Sequence, residues 1–203
     1  QIFWLTPPRM APDILTWGDA AAKTAAAIAK KHGVKRVVVL SSVGAQHKQG
    51  LGPISTVGRV ETIWEDAIAN VTSLRPAFFM ENFLRDLGTI KSMGMLFSTV
   101  PTDKRMAMVA TKDIAAVAAR ALLDRGWSGH RKVGIHGAAD ALHQQLVPDC
   151  VARRRHPAEG LERGEIRRRV VVEVDVRRRR GGAGGQHHGQ RQCMYCALHA
   201  DPL

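Results

Sequence analysis

A chain of 203 residues, 45% hydrophobic and 24% charged, has the length and apolar content of one globular domain and is not disordered throughout. No apolar run approaches the roughly 18 to 20 residues that span a bilayer, and no basic stretch followed by an apolar core opens the chain; a cytoplasmic address and no membrane partner are expected. The net charge of +12 raises an anionic partner, but its distribution matters more: residues 1–150 hold 18 basic against 12 acidic residues, and residues 151–203 hold 12 Arg, no Lys and 6 acidic residues. A quarter of the chain thus carries half of the excess.

Up to about Asp140 strand-like and helix-like stretches alternate. Ile2 to Thr6 is a short apolar run stopped by Pro7 and Pro8, entered directly after Gln1, which reads as the interior of a longer fold. Ala20 to Lys31 is an Ala-rich helix that Gly33 closes. Lys35 to Ser42 holds a run of β-branched residues too continuous for a strand with one wet face, and predicts an inner parallel strand. A second helix is expected over Val57–Ala69, a strand over Val71–Leu74 and a third helix over Phe79–Lys91, before Gly94. Met106–Ala110 reads as a strand. Thr111 is then the expected N-cap of a helix through Leu123, with Asp113 at its positive end, and Lys132–Ile135 reads as a last strand before Gly137. The order predicts an α/β fold: a Rossmann-like, mostly parallel sheet with helices on both faces.

From Ala141 the composition changes. All four Trp and all five Phe lie at or before Trp127, while Arg153–Arg155, Arg167–Arg169 and Arg177–Arg180 stud a tail that holds Gly181–Gly185 and, from His130 onward, seven of the nine His. Only Val170 to Val176 keeps a strand pattern. The organisation expected is a domain over 1–140 and an irregular Arg/Gly/His-rich tail over 141–203. Three readings stay open for the tail: a basic arm for nucleic acid, a solvated segment, and a GC-rich coding sequence read out of frame. The third is favoured, so nucleic acid is not the expected partner. Cys193, Cys196 and His199 have the first spacing of a zinc site, but no second Cys pair accompanies them, and no metal is expected.

Three stretches carry a resemblance. Val34–Ser42, Ser73-Leu74-Arg75-Pro76-Ala77-Phe78-Phe79-Met80-Glu81-Asn82-Phe83 and Met108–Ala115 together resemble the NmrA-like family, atypical members of the short-chain dehydrogenase/reductase superfamily, and Phe3–Pro8 is similar to that family's fourth strand and following loop. The resemblance covers residues 1 to 140. It implies an NAD(P)-binding domain whose first three strands lie upstream, with NADP or NAD as cofactor and the dinucleotide across the strands' carboxyl ends. Leu5, Thr6 and Pro7 would lie beside the cofactor, Ser41, Ser42 and Val43 near the nicotinamide, and Pro76, Ala77 and Phe78 would close over its ring. It further implies an NAD(P)H-dependent reductase of quinone-like electrophiles with a small-molecule substrate, or, as the alternative, a non-catalytic dinucleotide sensor with a regulatory protein partner.

Two departures stand beside it. No Gly-rich phosphate turn follows a strand in this sequence, so dinucleotide binding by these residues is expected to be poor. The Tyr and Lys that many members of the superfamily use for proton transfer fall, counted back from Glu61, at Ile54 and Gly58, and neither side chain carries a proton. The catalytic residues therefore stay unassigned. His47, Lys48 and Arg59 read as exposed polar groups, and Glu81 and Asp113 as hydrogen-bonding or helix-end residues. An inner strand left at a sheet edge invites association.

Overall fold

The structure is a computed structural model that describes residues 1–7, 9, 11–93 and 105–137, together with the backbone of the strands Ala141–Leu142, Val170–Arg177 and Arg191–Cys196. In chain order the elements are β1 (Ile2–Leu5), α1 (Ile14–Lys31), β2 (Val37–Leu40), α2 (Pro53–Ala67), β3 (Val71–Pro76), β4 (Phe78–Phe79), a 3-10 helix (Met80–Asp86) and α3 (Leu87–Met93). They continue through β5 (Arg105–Met106), β6 (Met108–Val109), α4 (Thr111–Leu123), β7 (His130–Gly137), β8 (Ala141–Leu142), β9 (Val170–Arg177) and β10 (Arg191–Cys196).

The main sheet has the order β1-β2-β3-β7-β9-β10. Its first four strands are parallel, in register through Ile2–Val37–Val71–His130, and β9 and β10 extend it in the antiparallel sense. This is the mostly parallel α/β sheet that the sequence predicts. The strand-like run at Val170 becomes β9, paired with β7; Gly94 lies outside the described residues, as do the side chains of Cys193 and Cys196 and the whole of His199.

Two apolar layers hold the sheet. On one face α1 and α2 bury Ala22, Ala26, Ala29, Val60 and Trp64 against Val37, Val39 and Val71; on the other α4 sets Ile114 and Ala118 on Val38, Leu74, Val133 and Ile135. Val37, Val38 and Val39 are all fully buried, as a β-branched run covered on both faces must be.

Several boundaries differ from those expected. α1 begins at Ile14 rather than Ala20, because Gly18 packs tightly on Thr56 of α2: a Cβ there would meet the Thr56 Cγ2 at 2.3 Å. α2 begins at Pro53, whose fixed φ suits a first helical turn, rather than at Val57. The third expected helix is broken up. Phe78 and Phe79 are drawn into a short parallel pairing with Met108 and Val109, and the 3-10 helix and α3 that follow bury no residue that would reward a longer regular helix. Gly33 closes α1 at φ +65°.

The cap of α4 is also not the one expected. Ala110 is the N-cap, in an extended conformation, and Thr111 is the first helical residue. The Thr111 N–H is met by both carboxylate oxygens of Glu81, each at 3.0 Å. A side chain 30 residues away thus does what a local hydroxyl does in most helices.

Candidate functional site

The parallel register brings the carboxyl ends of β1, β2 and β3 side by side, and with them the three triplets Leu5-Thr6-Pro7, Ser41-Ser42-Val43 and Pro76-Ala77-Phe78. Backbone hydrogen bonds fix the last two relative to each other: Ser41 N–H donates to Leu74 O at 2.7 Å and Val43 N–H to Pro76 O at 3.0 Å. Ala77 N–H donates to Ile135 O at 2.8 Å, tying the same edge to β7.

Within this edge the side chains differ in reach. Pro76 is fully buried and Ala77 nearly so, so they form the floor, while Phe78 is half-buried against Phe83 with ring centroids 5.5 Å apart. Leu5 and Val43 are exposed. Thr6 accepts the Trp4 indole N–H at 2.9 Å, and the Ser42 hydroxyl donates to Val43 O at 3.0 Å, leaving both hydroxyl groups at the surface of the edge with spare hydrogen-bonding capacity.

Beneath Ser41 lies a charged cluster that the sequence reading did not find. Glu61 of α2 is 3% exposed and accepts two hydrogen bonds from Arg75 of β3, at 2.9 and 2.6 Å, while Lys132 of β7 lies 3.1 Å away and also bonds Glu65. Burial by itself would push the Glu61 carboxyl up, but the Arg75 hydrogen bonds and the Lys132 charge together hold it below the usual carboxylate range. The signal in the sequence is slight: Glu61 falls between Val60 and Trp64 on the face of α2 that packs on the sheet, where an unpaired acid would be costly.

The helix positions that would carry a proton-transfer pair are closed by packing. Ile54 lies against Gly44, and Gly58 lies so near the loop after β2 that a Cβ would sit 2.1 Å from Ala45 O. Lys48 donates to Thr62 Oγ1 at 2.7 Å, Arg59 pairs with Asp19 of α1, and His47 is exposed.

A dinucleotide fits this edge only in part. Hydroxyls and an aromatic ring on a small-residue floor suit a ring and a ribose. The turn from β1 into α1 contains Pro7 and the Arg9–Asp13 ion pair, and does not supply glycine amides for a pyrophosphate.

Glu81 anchors the segment that follows Phe79. Burial would raise its carboxyl, but hydrogen bonds from the Thr111 side chain and backbone hold it lower. We expect Glu81→Ala to cost about 1 kcal/mol, the scale of losing a helix cap, measurable as a lower urea midpoint. Because its carboxyl is lowered in the fold, the contribution is present at neutral pH and lost on acidification through the folded-state value. The wild type and Glu81→Ala should therefore converge in stability at acid pH.

No protein-family model and no curated protein matches the chain. Solved structures do. A nucleoside-diphosphate-sugar epimerase from Staphylococcus aureus is 17% identical with a TM-score of 0.60, covering 74% of this chain and 53% of its own. The Bordetella bronchiseptica enzyme WbmH, in complex with NAD+, is 14% identical with a TM-score of 0.57, covering 78% and 59%. TunA, an NAD-dependent NDP-hexosamine 5,6-dehydratase of tunicamycin biosynthesis, is 12% identical with a TM-score of 0.59, covering 76% and 60%. The chain spans about half to three-fifths of the length of these proteins. At such identities the likeness is one of fold, a Rossmann-like, mostly parallel α/β sheet.

Proposed function

We propose that residues 1–140 are the strand-end half of an NmrA-like, NAD(P)-binding domain whose whole protein is an NAD(P)H-dependent reductase of quinone-like electrophiles. The observation that carries this reading is the convergence of Thr6, Ser42 and Phe78 at the carboxyl ends of three adjacent parallel strands, the crevice where open α/β sheets bind ligands. Solved neighbours of the same fold that carry NAD support it. The dinucleotide supplies hydride when bound. The chain's own part is to seat the nicotinamide end: Thr6 and Ser42 offer hydrogen bonds, Pro76 and Ala77 form the floor, and Phe78 flanks the ring.

Reduction of a quinone needs placement more than an acid on the protein, which agrees with Ile54 and Gly58 standing where a Tyr and a Lys would be. The same two residues favour a second reading, a dinucleotide sensor without turnover. Consumption of NADPH on addition of a quinone separates the two.

The test of the site itself is a fluorescence titration with NADPH and with reduced nicotinamide mononucleotide. With no glycine cradle for the pyrophosphate, the two should bind within about tenfold of each other, a difference of about 1.4 kcal/mol. Ser42→Phe should abolish both. No binding of either by folded protein would sink the reading, and a dinucleotide bound a thousandfold tighter would show that a pyrophosphate site exists elsewhere in the chain.

A further inference from the structure

We propose that the quinone-like substrate of the strand-end site carries a long apolar tail, which the chain seats on two apolar walls beside that site. The inference rests on the reading of the site given above and names its substrate class. Among the described residues, the large apolar side chains exposed away from β1 and α1 fall, apart from Leu123, in two segments: the loop after β2 and the stretch after β4. Val43, Leu51, Met80, Leu84 and Leu87 of these segments are 38% to 60% exposed. Both segments leave the carboxyl end of the sheet, where Ser42 and Phe78 stand. The bond from Val43 N–H to Pro76 O ties the loop to β3, away from the outer edge of β1. Apolar surface gathered at the mouth of a ligand crevice marks a binding surface, as singly scattered side chains do not.

Both walls are held in shape by the chain itself. In the loop, Leu51 N–H donates to Ser55 Oγ at 3.0 Å and Ser55 Oγ donates to His47 O at 3.1 Å. A Cβ on Gly44 would find the Leu51 Cδ1 at 3.7 Å, so Leu51 lies over the residue next to Val43. After β4, Phe83 packs on Phe78 with ring centroids 5.5 Å apart, and Glu81 accepts the Thr111 N–H, which fixes the start of that stretch at the site. Neither the 3-10 helix nor α3 buries a residue, so Met80, Leu84 and Leu87 are not spent on the core. Walls ordered beforehand leave less entropy to be lost on binding.

A sugar or another polar substrate would leave these side chains in water. A hydrocarbon tail covers them, with a gain in affinity of about two- to fourfold for each methylene from half to fully buried. The reaction is unchanged by the tail: the ring takes a hydride from NADPH and a proton from solvent and leaves as the hydroquinone, with NADP+ formed.

The test is equilibrium dialysis of the full chain with methylnaphthoquinone and its butyl and octyl derivatives, without reduced cofactor so that no turnover intervenes. The octyl compound should bind about tenfold or more tighter than the parent, with the butyl compound between them. Leu51→Gln with Leu84→Gln changes exposed side chains only, so circular dichroism and affinity for the parent should stay as in wild type, while the octyl advantage falls to about threefold or less. Ser42→Phe should abolish binding of all three compounds, since the ring places the tail. Equal binding of the three, lost in Ser42→Phe, would overturn the tail and leave the ring site standing; no binding of any of them would sink the reading of the site and the tail with it. An octyl advantage indifferent to the double substitution would also overturn the proposal. So would octyl binding that survives Ser42→Phe, which would give the walls to a membrane surface, or a dimer in sedimentation that Leu84→Gln dissociates, which would give them to a second copy.

Discussion

Glu61→Ala is expected to lower the stability of the chain by about 3 kcal/mol, because it strips one partner from a largely buried charge cluster and leaves the others behind. Glu61 is 3% exposed, whereas the side chains of Arg75 and Lys132 are 21% and 17% exposed. Those two cations recover some hydration, which places the loss at the lower end of what breaking a buried pair costs. Lys132 also keeps Glu65. Removing the carboxylate with one of its cations, as Glu61→Leu with Arg75→Met, should cost less than the sum of the two single changes, and urea melts of all four proteins measure that coupling. A loss below about 1 kcal/mol for Glu61→Ala would mean that the cluster is open to water and holds nothing.

The same group sets a dependence on pH. The Glu61 carboxyl is lower in the fold than in the unfolded chain, so the unfolded state binds the proton more readily. Its contribution is fully present above the ordinary glutamate value and disappears as the pH falls through the folded value. Wild type should lose stability steeply in acid, and Glu61→Ala less steeply.

Gly58→Ala should be nearly as damaging, and for a different reason. The added methyl would stand 2.1 Å from Ala45 O, 3.0 Å from its carbonyl carbon and 3.4 Å from its Cα, all backbone atoms that no rotamer change can move. Alanine gains up to about 1 kcal/mol over glycine in a helix, but overpacking of a close contact costs about 1 to 3 kcal/mol or more, so the steric effect wins. Because Ala45 lies in the loop that follows Ser41–Val43, the displacement reaches the strand-end edge, and dinucleotide affinity should fall together with the melting temperature. Gly88 of α3 is the control. Nothing lies within 4 Å of a Cβ there, and Gly88→Ala should be neutral or slightly stabilising. A Gly58→Ala protein as stable as wild type would show that α2 can slide away from the loop.

These contacts mark how far the sequence could be read. Val37–Leu40 was legible as an inner strand because a strand covered on both faces needs apolar side chains on both, and that demand is written in consecutive residues. The alternation of strands and helices predicted the parallel sheet, and the family resemblance implied the three triplets that the register sets side by side. Arg75 and Lys132 were not legible as partners of a helix acid, since either could have stood at a solvated strand end. Glu81 was recognised as a helix-end or hydrogen-bonding residue, but not that the helix end belongs to α4.

Local periodicity, chain order and glycine and proline punctuation therefore determined the fold class of this protein by themselves, because each residue's burial direction is set by its immediate neighbours along the chain. Only the tertiary structure decided that Glu61 meets Arg75 and Lys132, that Glu81 caps Thr111 and that Gly58 touches Ala45. Charge pairing, close approach and hydrogen-bond satisfaction join positions from 13 to 71 residues apart, and no local pattern fixes which of many chemically equivalent groups will meet.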